Sequence, residues 1–308
     1  MSMVALAMTV AGCNYHNIIE GNSLGEYYRP ADGSSSPFLS KVLEYTPAPG
    51  QYIGEPDITP AFILTPEAAC AWAKERLDAK KFVSLGAFGG YIVVGFDHSI
   101  VNLGDYDFAV YGNAFSGNSE PGIVWVAQDA NGNGIPDDTW YELRGSDTYN
   151  GLTLRGYSVT YYRPEADGQD VAWRDSEGQS GTIDYLPAYH TQPSYYPDWI
   201  LDNEYTLTGT RLKAFNYDQS GNGSLWINPD YDWGYADNFC SSNTIINGAV
   251  ICYFRIGDAI DSDGKPVSLK YIDFIKVQTG VNAKSGWTGE LSTEVLGFED
   301  ISIYMTIK

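Results

Sequence analysis

The chain has 308 residues, with 39 acidic against 18 basic side chains and a formal net charge of -21. This balance excludes phosphate-dominated nucleic-acid binding and docking on anionic lipid through a basic patch, both of which need clustered Lys and Arg. Hydrophobic residues at 44% are enough for a real core, so global disorder is excluded as well. The excess acid suits either simple solubility or the oxygen-rich ligand sets of Ca²⁺.

Residues 3–12 form an apolar run too short to span a bilayer as a mature helix, but with the length of a signal-peptide core. Val10-Ala11-Gly12-Cys13 resembles a bacterial lipobox, so Cys13 is the expected lipidation site and residues 1–12 the removed leader. No Lys or Arg precedes Cys13, which departs from the usual leader and points to a start codon further upstream. Residues 13–41 are polar and rich in Gly, Asn and Ser, and read as a tether from the lipid to a single folded domain over 42–308. Gly21-Asn22-Ser23-Leu24-Gly25 has the spacing of a hydrolase nucleophile elbow, but lacks the strand and helix that motif requires.

One helix is expected next. Thr65 is a natural N-cap, Pro66 suits the first helical position, and Ala69, Trp72, Ala73 and Leu77 fall on one apolar stripe. Beyond it the period changes to two. Short β-rich runs over 82–85, 90–96, 106–111, 122–127, 158–162, 269–277 and 296–305 are separated by glycine-containing turns. The expected fold is therefore all-β: a jelly-roll-type β-sandwich with one short N-terminal helix. Asn247-Gly248 is a hairpin turn signal. Cys240 and Cys252 flank it and are close enough in sequence for a cross-strand disulfide, while Cys70 on the helix reads as core.

The strongest local motif runs from Asp129 to Asp138. Oxygen-bearing side chains stand at Asp129, Asn131, Asn133 and Asp137, Gly134 occupies the sharp turn, and Ile135 offers its carbonyl. This is the spacing of an EF-hand-type calcium loop, with Trp140 where the bidentate Glu would stand. It is closer to the loops of dockerins and thrombospondin-type repeats, and the expected cofactor is structural calcium. An acidic hairpin without metal has the same composition. Asp258, Asp261, Asp263 and Gly264 form a second, less specific acidic turn.

Two segments, 185–199 and 226–238, are crowded with rings but show no strand or helix period. As surface loops they are expected to stack on a flat ligand through Tyr189, Tyr195, Tyr196, Trp199, Tyr231 and Trp233, with Asp237 and Asn238 on a polar rim. Packing of those rings onto the sandwich is the alternative. No zinc spacing, P-loop or dinucleotide fingerprint is present, and no carboxylate pair stands out as catalytic.

The strings 43–51, 84–97, 106–115, 119–125, 233–238 and 272–277 resemble a family of Bacteroidetes cell-surface lipoproteins found beside outer-membrane corrinoid transporters. The resemblance covers most of the chain from about residue 42 onward. It implies a lipid-anchored protein on the outer membrane that binds a corrinoid (cobalamin) without turnover, with a TonB-dependent transporter as partner. A calcium-dependent carbohydrate-binding module, or less readily a glycan-cleaving enzyme, fits the composition as well.

Overall fold

The computed structural model describes residues 24–56, 58 and 63–307. The leader, Cys13 and the first part of the expected tether lie outside them. The fold is all-β with one substantial helix, as expected. A six-stranded antiparallel sheet runs in the order Lys41–Thr46, Tyr91–Val101, Tyr271–Thr279, Gly122–Ala127, Trp140–Leu143 and Ala259–Ile260. A four-stranded sheet is ordered Thr244–Ile246, Ala249–Phe254, Phe108–Gly112 and Gly297–Asp300. Alternate side chains of both sheets enter one core: Ile92, Val94, Val124, Val126, Ile275 and Val277 from the first meet Phe108, Val110, Val250 and Phe298 from the second. Their burial is the main driving force for the sandwich. The pairing of Tyr91–Val101 with Tyr271–Thr279 sets Val94 opposite Ile275 and Ile92 opposite Val277, which puts one apolar row on one face.

A second four-stranded sheet, Glu204–Arg211, Leu154–Tyr162, Val171–Asp175 and Ser180–Ile183, has its own core around Tyr157, Tyr161, Val171 and Leu207. Only part of one of these strands is visible as a β-rich run in the sequence, because Thr, Ser, Gly and Arg interrupt the others.

The helix spans Pro66–Asp78. Thr65 Oγ1 accepts the amide of Ala68 at 3.2 Å, and Ala69, Ala73 and Leu77 are buried. Trp72 packs against Tyr45, with ring centroids 5.8 Å apart. No helix among the described residues is long and apolar enough to cross a membrane.

Two expectations need correction, and one open pairing is decided. The described part of the tether is not free chain: Arg29 reaches Asp273 at 3.1 Å, its amide donates to Ser99 Oγ at 3.0 Å, and Leu39 is buried in the main core. The run 296–305 is strand only over Gly297–Asp300 and then turns into a short helix, Ile303–Thr306. Asp300 Oδ1 takes the amide of Ile303 and the Ser302 hydroxyl, which ends the strand. Finally, Asn247-Gly248 does form the hairpin turn, both residues at positive φ, but Cys240 and Cys252 are free thiols. Cys240 lies outside the hairpin, and Cys252 is held on the central side of it opposite Val110.

Candidate functional site

The two aromatic loops are mostly core. Tyr195, Tyr196, Trp199 and Tyr231 are buried, so the exposure expected of them is not present. Tyr196 donates its hydroxyl to the Asp202 carbonyl at 2.8 Å, Tyr231 donates to the Lys213 carbonyl at 2.6 Å, and Tyr195 Oη accepts the Leu186 amide at 2.9 Å. Trp199 packs on Tyr45. A loop without a backbone ladder is anchored by what its side chains bury, and a ring buries more apolar area than any other side chain. Asp237 and Asn238 are buried too. Asn238 closes its own loop, accepting the Tyr231 amide at 2.8 Å and donating to the Tyr231 carbonyl at 2.7 Å. Only Tyr189, 59% exposed, and Trp233, 41% exposed, present rings to solvent.

These two have different neighbours. Trp233 lines a cavity of about 410 Å³ with Tyr106, Arg144, Tyr253 and Arg255. Tyr189 packs against Trp287, centroids 5.4 Å apart, and Trp287 is itself half exposed. A separate cleft of about 480 Å³, lined by Thr288 among others, is walled by Tyr52, Phe82, Phe115 and Trp226 and floored by Asn113, Asn118, Asn228, Glu120, Glu290 and Glu294. The second ring-rich loop lines it through Trp226 and Asn228, and the first touches its wall through His190, which meets Tyr52 edge-on at 5.1 Å.

The local backbone explains the placement. Glu294 starts a two-residue strand paired with Val83–Ser84. Glu290 Oε1 takes the Gln51 amide at 2.7 Å, which ties the loop after the Tyr271–Thr279 strand to the loop after Lys41–Thr46. Gly286 sits at φ +56, and a Cβ there would fall 2.2 Å from Trp226 Nε1, so only glycine lets the indole close this wall. Asn228 donates to Asn118 Oδ1 at 2.7 Å and accepts from Ser285 Oγ at 2.5 Å.

Behind the floor, Glu120, Asp237 and Glu294 each bring a carboxylate oxygen within 4.8 Å of the others. Asp237 Oδ1 accepts the amides of Asn113 and Ala114 at 2.9 and 2.8 Å, and Oδ2 accepts the Glu294 amide at 2.9 Å. Its backbone stands at φ +50, unusual for a non-glycine residue. Burial, reinforced by mutual repulsion, holds Glu120 and Asp237 well above the usual carboxylate range. Burial also pushes Glu294 up to about 7 and Glu290 up to about 8. Glu120, Glu290 and Glu294 were not singled out in the sequence. Glu120 lies inside the string 119–125 that carries the family resemblance, but nothing local marks any of the three as a site.

The acidic loop after Gly122–Ala127 has the turn chemistry expected of it. Asp129 accepts the amides of Asn133 and Gly134 at 3.0 and 2.9 Å, Asn131 Oδ1 accepts the Asn133 amide at 2.9 Å, and Asn133 Oδ1 accepts the Ile135 amide at 2.7 Å. Asn133 turns its amide nitrogen toward both oxygens of Asp137, at 3.3 and 3.2 Å, and Ile135 is exposed. The same pattern recurs at Asp218, Ser220 and Asn222: Asp218 accepts the Gly223 amide at 2.6 Å and Asn222 Oδ1 accepts the Ser224 amide at 3.1 Å. That second occurrence was readable from its spacing and was missed.

No protein-family model matches the chain, and a comparison with curated proteins gives no match.

Proposed function

We propose that this chain is a lipid-anchored binding protein of the outer cell surface that captures a corrinoid without turnover and passes it to a TonB-dependent transporter. The observation that carries the reading is the cleft walled by Tyr52, Phe82, Phe115 and Trp226, where rings border a floor of amides and carboxyls. A corrin is a broad disc fringed with amides. Apolar ring faces suit its plane, and Asn113, Asn118, Asn228 and Glu120 suit its edge. A cleft of about 480 Å³ admits an edge of such a disc rather than all of it. The lipobox-like string ending at Cys13 and the family resemblance support the address and the partner.

Calorimetric titration with cyanocobalamin tests the reading. Covering one ring with ligand contributes roughly 1.5–3 kcal/mol, so Phe115→Ala, at an exposed ring of the cleft wall, is expected to weaken binding by about tenfold to a hundredfold. Trp233→Ala, facing a different cavity, is expected to leave it unchanged. Absence of heat at tens of micromolar protein (order of magnitude), alongside clear binding of an oligosaccharide, would replace the corrinoid with a glycan. Release of new reducing ends from any glycan would make the protein an enzyme.

We also propose structural calcium in the loop at Asp129, Asn131, Asn133, Ile135 and Asp137. The chain of side-chain-to-backbone hydrogen bonds there already folds the segment around its oxygens. On binding, the Asn133 amide would reverse and present oxygen where it now donates to Asp137. Asp137 is exposed and outside the core, so Asp137→Ala should cost little by itself. The expected result is one fewer calcium per chain by elemental analysis and a smaller calcium-dependent rise in melting temperature. An unchanged calcium content in that variant would remove the site.

A further inference from the structure

Three acidic side chains converge at and behind the cleft floor, and a fourth, Glu290, lines the same cleft. Glu120, Asp237 and Glu294 share a volume only 4.8 Å across, and no ion pair joins any of them, or Glu290, to a basic side chain among the described residues. Burying several carboxylates side by side is unfavourable unless protons or a bound cation neutralise them. Glu120 and Glu294 hydrogen-bond to each other, which calls for a proton on one of them unless a cation takes its place, and neighbouring donors hold further oxygens. Ser292 gives its hydroxyl to Glu294 Oε1 at 2.6 Å and its amide to Glu120 Oε1 at 3.3 Å, and Asp237 is held by three backbone amides.

A separate observation points into the same space. Glu290 is 3% exposed, and its Oε2 has no hydrogen-bond partner although Oε1 is held by the Gln51 amide. It lines the cleft together with Glu120 and Glu294. A buried carboxylate oxygen left unpaired costs about 1–3 kcal/mol or more and calls for a ligand to satisfy it.

We propose that Glu120, Asp237 and Glu294 bind a divalent cation of the calcium class at the floor of the cleft, which the unpartnered Glu290 carboxylate also lines. All the donors are hard oxygens, with no imidazole or thiolate among them, which favours calcium over zinc or copper. Calcium–oxygen bonds of about 2.4 Å leave ligand oxygens no more than about 4.8 Å apart, and these oxygens lie within that separation. Glu120 is only partly covered and faces the cleft, so the cation keeps a side open to it. That open side takes an oxygen ligand, such as a carbonyl or hydroxyl of a molecule seated between the rings. The site is distinct from the 129–137 loop and does not depend on which organic molecule the cleft holds.

The test is calcium content by elemental analysis after dialysis, on the full chain, in two backgrounds. Glu120→Gln/Glu294→Gln keeps size and shape and is expected to lose one calcium per chain relative to its parent, both in the otherwise unaltered protein and in Asp137→Ala. Calcium content unchanged by the double substitution in a protein that still melts cooperatively overturns the proposal. A second readout leaves the carboxylates intact, in case the double variant does not fold. In Asp137→Ala protein loaded with terbium, emission excited through tryptophan is expected, and it falls several-fold in Trp226→Phe, whose indole lines the same cleft. Terbium emission that is absent, or indifferent to Trp226, also overturns it.

Discussion

Asp237→Ala is expected to lower the stability of the whole domain by about 3 kcal/mol or more, a loss of roughly 5–10 °C in melting temperature for a domain of this size. The residue was expected on a polar rim, where its removal would cost little. It instead receives three backbone amides, from Asn113, Ala114 and Glu294. Those amides belong to two distant parts of the fold: the loop directly after the Phe108–Gly112 strand and the start of Glu294–Val295. Alanine leaves all of them buried without an acceptor, each at a cost of about 1–3 kcal/mol. Alanine also tolerates φ +50 poorly. Relief of repulsion with Glu120 and Glu294 offsets part of the loss. Measuring in the presence of a chelator separates this structural role from cation binding. Asp237→Asn keeps an acceptor for Asn113 and Ala114 and is expected to cost less. A change within about 0.5 kcal/mol for Asp237→Ala would show that the amides find other partners.

The second large effect belongs to His98. Its ring is buried, with Nδ1 2.6 Å from Asp97 Oδ1 and Nε2 2.7 Å from Asp300 Oδ2. A neutral imidazole carries only one N–H, so two carboxylates at these distances call for the imidazolium. Burial pulls its pKa down, but the hydrogen bonds from Asp300 and Asp97 outweigh burial and leave it raised above 6.5. A raised folded-state pKa contributes stability that is fully present below the unfolded value near 6.5. That contribution is lost as pH rises through the folded value. Melting experiments across this window should show stability falling with rising pH, and His98→Gln should flatten that fall. Tyr28 and Asp107 also feel the Asp300 charge and stay in place as the background. His98→Ala removes the buried partner of Asp300 and is expected to cost about 3–5 kcal/mol, the range for breaking a buried pair. The contact with Asp97 adds less, since Asp97 is partly exposed. A pH profile identical in His98→Gln and the parent would mean that the imidazole is neutral in the folded state.

Much of the architecture was legible because it is written in short-range signals. The cap at Thr65, the stripe Ala69–Ala73–Leu77 and the Asn247-Gly248 turn each act within one or two turns of chain. The strands Tyr91–Val101 and Tyr271–Thr279 announce themselves by dense β-branched and aromatic residues. The 129–137 loop was legible for the same reason: its oxygens bond to amides two to five residues on. The sheet around Tyr157 and Tyr161 was not. Its strands carry alternating small and polar residues whose exposed face hides the period.

The amino-acid order by itself determined the all-β class, the capped helix, the turn chemistry and the supply of rings in the two long loops. It did not determine which way those rings point. A Tyr or Trp in a loop gains from burial against either the protein's own core or a ligand, and only the packed sandwich decided that Tyr195, Tyr196, Trp199 and Tyr231 take the first course while Tyr189 stays outside. The cleft floor was decided the same way. Glu120, Asp237, Glu290 and Glu294 come from distant points of the chain, and their approach depends on strand pairings and loop ties that no local pattern encodes. Burial then changes their chemistry, because the cost of a charge is set by the solvent and neighbours the fold leaves around it.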